Sequence, residues 1–342
     1  MDSITHIALG AALGEYVAGK KAGNKAILWG AIACTIPDFD VFFLPLYSEV
    51  DKLAIHRGFS HSLIFPFLIA PLLGWILSKL YRSKSDMTVK DWTLLLFSGL
   101  FIHPILDAFT TYGTQWFLPF SNYRVAFNVI AVVDPFYSVS LIAGVIGVMV
   151  LRRKNYQKGY KWNRAGLIIS SFYFCFALFN KYRLEQLFKT SMEQQHIVPK
   201  QYMTNPVLFS NFLWYCVAKD DSSCHIGYYS LFQKNKTVQF ETYKINAGLL
   251  NKIADQKGAN QLKWFTKDYF LLEERNDTLC FFDIRFGKSE FNTSTDYEQS
   301  FVFFYKIPHP ENRPLEIQQY ISKENMDFGK FMSKISYRIK QD

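Results

Sequence analysis

Six stretches in the first 184 residues are apolar enough to leave water, at about 4–18, 26–46, 59–80, 92–110, 129–151 and 164–182. Crossing the hydrocarbon core of a bilayer takes about 20 predominantly apolar residues. The third stretch, GFSHSLIFPFLIAPLLGWILSKL, and the fifth, NVIAVVDPFYSVSLIAGVIGVMVL, meet that length easily. The first is short, and its Ala8, Gly10, Ala11, Ala12 and Gly14 suit close helix packing more than contact with lipid. It reads as a tightly packed or partly re-entrant helix.

Beyond residue 200 the pattern changes. Runs such as VLFSNFLWYCVA, HIGYYSLF, VQFETYKI, DYFLLEER, TLCFFDIRFG and SFVFFYKI are rich in Phe, Tyr and Val, and Asp, Gly or Asn clusters punctuate them. This alternation predicts an antiparallel sheet, with covering helices near 246–257 and 315–338. The expected architecture is an α-helical integral membrane bundle of about five or six segments (1–184), a polar helical connector (185–200) and a soluble α+β domain (201–342).

Charge orients the bundle. The net charge is +9, and residues 1–184 hold 18 Lys and Arg against 10 Asp and Glu, so nearly all of the excess belongs to membrane-flanking loops. That distribution argues against a nucleic-acid partner. The basic residues fall in alternate loops: Lys20, Lys21 and Lys25; Lys79, Arg82, Lys84 and Lys90; then Arg152, Arg153, Lys154, Lys158, Lys161 and Arg164. The positive-inside rule makes these loops cytoplasmic. Residues 1–5, 38–58, 108–128 and everything after about 184 are then expected on the extracytoplasmic side of the inner membrane. Met1–Thr5 lacks the basic start of a signal peptide, so the hydrophobic segments themselves are expected to direct insertion.

Four histidines and four aspartates stand out on this map: His6, Asp38, Asp40, His56, His61, His103, Asp107 and Asp134. Ionisable groups at membrane depth are expensive unless paired or bound, and the loop map places all eight in the outer leaflet. Their spacing suits metal binding. His103 and Asp107 are four apart and share a helix face. Pro37 in IPDFD should break the helix and present Asp38 and Asp40 from an irregular turn. In HRGFSHS the two histidines would point about 140° apart on a regular helix, so His56 belongs in a loop, with Gly58 allowing the turn and Ser60 capping the helix. Mixed imidazole and carboxylate ligands suit zinc, with manganese or iron as alternatives. Eight candidates exceed one ion's needs and point to two or three ions with some supporting residues. Each residue also has a plainer role open to it: a packed histidine, an Asp turn, a helix cap at Asp134-Pro135, or an ion pair of Asp107 with Arg57 or Arg124.

Taken together, Thr5-His6, IPDFD (36–40), HRGFSHS (56–62), His103-x-x-x-Asp107 and Asp134-Pro135 resemble the YdjM-type family of membrane-bound, metal-dependent hydrolases over about residues 1–180. HRGxxHS is the most specific part. The family's motifs are distantly similar to those of zinc-dependent phospholipase C and the related single-strand nucleases, and that resemblance implies phosphoester hydrolysis. Most members end soon after the membrane part, so residues 201–342 extend the pattern.

The expected chemistry is a metal-activated water attacking a phosphoester or lipid-linked substrate that enters from the membrane lipids. Asp38, Asp40, Arg57 and Asp107 are the expected catalytic residues, and Arg57 and Arg124 could clamp a phosphate. The competing readings are a transporter and a non-catalytic, metal-stabilised scaffold whose outer domain binds a protein partner. A transporter should show inverted repeats and carry polar residues into both leaflets, whereas the set singled out here stops in the outer leaflet. In the outer domain, Cys216 and Cys224 lie on either side of the turn signal KDDSS and could face each other as a disulfide or as buried thiols.

Overall fold

The computed structural model describes residues 1–83, 85–152, 154–288 and 301–321. The chain divides into two compact units. The first holds Met1–Phe43, Ile55–Phe179 and Leu208–Ser210; the second holds Leu44–Ala54, Asn180–Val207 and the chain from Asn211 onward.

The first unit is helical. Its elements are α1 (Ser3–Ala22), α2 (Asn24–Thr35), α4 (Ile64–Leu80), α5 (Val89–Ala108), α6 (Pro135–Leu151) and most of α7 (Tyr156–Gln194), while the short α3 (Glu49–Ile55) falls largely in the second unit. Asp2 starts α1 by accepting from Thr5 N–H, and Gly23, at φ +61°, ends it in a conformation that side chains resist. The α1–α2 pair packs backbone to backbone: a Cβ on Gly10 would collide with Cys34 Cβ and Gly30 O, and one on Gly14 with Ala26 O. This is the small-residue contact that the first apolar stretch implies. A reciprocal Thr88–Asp91 capping box opens α5.

Proline breaks α2 where expected. After Thr35 the chain continues as a 3₁₀ run, Ile36–Leu46, which carries Asp38 and Asp40. A second, three-residue 3₁₀ turn, Phe59–His61, precedes α4.

Among the described residues, three helices are long and apolar enough to cross a membrane: Asn24–Leu46, Val89–Ala108 and Tyr156–Gln194. The bent pair Glu49–His61 and Ile64–Leu80, at 58°, makes a fourth if taken as one span. The expected count of five or six is thus not confirmed. The first expected segment, α1, is a helix but is not among them. The fifth loses its opening residues, because 129–134 are not helical and Asp134 starts α6, leaving the 17-residue Pro135–Leu151.

The second unit contains two four-stranded antiparallel sheets. One runs in the order β1 (Gln201–Pro206), β2 (Leu213–Lys219), β3 (Ser223–Ser230) and β4 (Phe240–Lys244); the other in the order β5 (Phe270–Arg275), β6 (Thr278–Lys288), β7 (Phe301–Ile307) and β8 (Gln318–Ile321). Leu184, Phe188 and Met192, spaced four apart on α7, pack on Trp214, Cys216 and Ala218 of β2. The helix expected near 246–257 is a 3₁₀ turn, Ala247–Lys252, followed by α8 (Gln256–Thr266), which Asp255 caps. Of the helix expected near 315–338, residues 318–321 form β8 instead, and 322–338 lie outside the described residues.

Cys216 and Cys224 do not pair. The β2–β3 register sets Cys216 opposite Gly227 and Cys224 opposite Lys219, and both thiols are free and buried. The turn falls at Asp220–Ser222, where Asp220 accepts from Ser222 and Ser223 N–H and closes the hairpin, whereas the two cysteines are centred on Asp220 and so fall out of register.

Candidate metal centre

Four of the eight singled-out residues bring one donor each to a single point. They are Asp38 from the 3₁₀ run after α2, His61 from the turn before α4, and His103 and Asp107 from adjacent turns of α5. Asp38 Oδ1 is 3.4 Å from both His61 Nε2 and His103 Nε2. Asp107 Oδ2 is 3.5 Å from His61 Nε2 and 3.6 Å from His103 Nε2, and the two imidazole nitrogens are 3.0 Å apart.

These separations can be compared with an ion's requirements. Nitrogen and oxygen donors about 2.0–2.2 Å from a tetrahedral centre stand roughly 3.3–3.6 Å from one another. The four histidine–carboxylate separations fall at that spacing, and the imidazole pair is closer. The donor chemistry agrees: Asp107 Oδ2 is fully buried and makes no hydrogen bond. His103 Nδ1–H donates to Cys34 O at 2.6 Å, which turns the lone pair of Nε2 toward the cluster. His61, His103 and Asp107 are completely enclosed, while Asp38 is 20% exposed and forms the open side. The residues fit a divalent transition ion.

The remaining candidates surround this set. His6, in α1, reaches Asp107 Oδ1 through Nε2 at 3.0 Å and stacks on His103 with ring centroids 3.8 Å apart. The Met1 amine pairs with the same Oδ1. His6, Cys34 and His103 also form a second group of potential ligands, sharing His103 with the first. Asp40 is not in either group. Its carboxylate accepts from Arg57 N–H at 2.8 Å and faces His56 Nδ1 at 3.1 Å, Ser60 Oγ at 3.4 Å and His61 Nδ1 at 3.6 Å. It ties the HRGFSH loop together and orients His61 from behind. His56, partly exposed, stays on Asp40.

Asp134 stands apart from both ligand groups. It caps α6 through Phe136 and Tyr137 N–H and accepts from Tyr173 OH at 2.8 Å, the plainer role that Asp134-Pro135 allows. Arg57 Nε lies 3.1 Å from Asp107 Oδ2. Arg57 and Arg124 both lie against the Tyr112 ring, 4.6 and 4.9 Å from its centroid. Sequence reasoning takes Cys34 as a structural cysteine and passes over Tyr112. A lone cysteine in an apolar run and a tyrosine in a 26-residue loop (109–134) carry no spacing signal.

A family model described as YdjM inner membrane protein matches residues 1–184. The chain is 32% identical over 152 residues to the uncharacterized protein YfhP of Bacillus subtilis (strain 168), covering 42% of this chain and 45% of that protein. It is 31% identical over 123 residues to the inner membrane protein YbcI of Escherichia coli (strain K12), covering 35% of this chain and 69% of that protein. The chain thus spans under half the length of the first of these relatives. No solved structure matches.

Proposed function

The chain belongs to the YdjM inner membrane protein family, and on that footing we propose that its helical unit is a zinc-dependent hydrolase of phosphoester or lipid-linked substrates. The observation that carries this reading is the four-donor set Asp38, His61, His103 and Asp107, whose spacing is near that of a tetrahedral ion. Bound there, a zinc-like ion supplies Lewis acidity and a water acidic enough to react near neutral pH. The chain's own residues do the rest. Asp40 fixes the loop that carries His61, Cys34 O sets the tautomer of His103, and His6 with the Met1 amine holds Asp107 so that Oδ2 faces the set.

Asp38 is the one partly exposed donor, and its neighbours Phe39, Phe42 and Phe43 are exposed apolar side chains in a candidate span. Approach from lipid is therefore favoured, and the basic-loop pattern favours the extracytoplasmic side. A second reading has its own observation: four protein donors close a tetrahedral ion, as structural sites do. Metal analysis of the detergent-purified protein, followed by phosphodiesterase and lipid-phosphatase assays with and without chelator, separates the two. The hydrolase reading expects bound zinc and chelator-sensitive turnover. Bound zinc with no turnover, and unfolding on chelation, supports the scaffold; the absence of any bound transition metal sinks both.

A further inference from the structure

Arg57 occupies an unusual position for a cation. It is 6% exposed, and its backbone sits in the left-handed region at φ +58°, which residues other than glycine seldom adopt. The strain is held from both sides. Its N–H donates to Asp40 Oδ2 at 2.8 Å, and its carbonyl accepts from Gln115 N–H at 3.3 Å. Such outliers concentrate where a side chain has to be aimed.

The protein meets only part of the guanidinium. Its Nε faces Asp107 Oδ2 at 3.1 Å as an ion pair without hydrogen-bond geometry, Nη1 has only a long contact of 3.4 Å to Thr110 Oγ1, and Nη2 makes no hydrogen bond among the described residues. A guanidinium carries five donors in a rigid fork. Leaving them unmet in an enclosed place is unfavourable unless a ligand meets them. The ion pair with Asp107 Oδ2 uses Nε alone and does not occupy Nη1 or Nη2. Tyr112 packs against the guanidinium, 4.6 Å from ring centroid to Cζ, and limits its freedom to swing away.

We propose that Arg57 is an anion subsite that takes a phosphoryl oxygen of the substrate. The subsite rests on the hydrolase reading above for its role in a reaction, and it narrows the substrate to anionic phosphate esters over neutral carboxylic esters. A phosphoryl group carries charge for the guanidinium and enough oxygens to face Arg57 and the four-donor set together; a neutral ester carbonyl offers one uncharged oxygen. Arginine is suited to this contact because its fork matches two phosphate oxygens.

The test is calorimetric titration of the full-length, detergent-purified protein with inorganic phosphate, for the wild type, Arg57→Lys and Arg57→Gln, with zinc content measured on the same samples. Arg57→Lys keeps the charge beside Asp107 and carries the test if Arg57→Gln does not fold. Phosphate is expected to bind the wild type, with affinity falling about 10-fold in Arg57→Lys and about 100-fold in Arg57→Gln, and zinc content unchanged. No phosphate binding to the wild type, or equal binding to wild type and Arg57→Lys, overturns the subsite. Arg57-dependent phosphate binding to protein that holds no metal leaves the subsite standing and removes the metal reading; retained zinc with Arg57-independent binding does the reverse. Dihexanoyl phosphatidate in a parallel titration identifies the source: tighter binding than inorganic phosphate assigns a lipid headgroup, equal binding a free phosphate.

Discussion

Replacing Asp38 with Asn exchanges one carboxylate oxygen for an amide nitrogen and takes the charge from one donor of four. Structural zinc in four-ligand sites is bound by roughly 10–16 kcal/mol; taking the four donors as equal, one contributes about 3 kcal/mol. At 1.4 kcal/mol per power of ten, Asp38→Asn should weaken metal binding by about 100-fold. The fold should survive, because Asp38 is partly exposed and its close polar contacts are the two histidines of the set. Asp40→Asn is the matched comparison. It leaves all four donors in place but disturbs the contacts to His56, Arg57 N–H and His61 Nδ1. Losing such a supporting contact weakens metal binding by about 10- to 100-fold. Competition against a chromophoric zinc chelator reads both affinities, and thermal melts verify folding. Asp38→Asn at wild-type affinity would remove Asp38 from the ligand set, whatever Asp40→Asn does.

Three further outcomes follow from the second unit. Alkylation under denaturing, non-reducing conditions should label both Cys216 and Cys224, since the β2–β3 register keeps them from facing each other; recovery of a linked peptide by mass spectrometry would contradict that register. Asp283→Asn removes the carboxylate that grips the fully buried Arg285 at 2.9 and 2.6 Å, and should cost about 3–5 kcal/mol in urea melts; a loss under 1 kcal/mol would show that the pair is compensated elsewhere. Asp255→Ala should cost about 1 kcal/mol at pH 7, because Asp255 caps α8. Backbone N–H groups of Leu315, Gly258 and Lys257 hold its carboxyl below the usual range. The charge-dependent part of that stability is therefore present above the ordinary carboxylate pKa and fades as pH falls through the lowered one. A gap between variant and wild type that widens in acid would falsify this sign.

Much of the arrangement was legible because it is local. Pro37 ends α2 and turns out Asp38, and the four-residue spacing of His103 and Asp107 puts both into one ligand set. The HRGFSHS element carried the family resemblance, and its two histidines do part company as the five-residue spacing requires. The aromatic and β-branched runs after residue 200 form antiparallel sheets. What stayed hidden depends on partners distant in the chain. Nothing in IPDFD distinguishes Asp38, which faces the histidines of α5 and the turn before α4, from Asp40, which faces the loop. Asp134 sits at the same expected depth as the ligands, but Tyr173, 39 residues on, and the first turn of α6 take its oxygens. Cys216 and Cys224 could be read as a pair because register cannot be counted until the turn is known.

The backbone contact between α1 and α2 has a consequence for how variation in this protein will read. Gly10 lies one helical turn beyond His6, and Gly30 one turn before Cys34, whose carbonyl anchors His103. A methyl group at Gly10 or Gly14 would push α1 and α2 apart along the edge that carries His6 and Cys34. In a saturation mutagenesis screen scored on metal uptake, these chemically inert positions should therefore tolerate as little as the ligands themselves. A tolerance map would draw the site larger than its donors, and its outline would follow the line where two backbones touch.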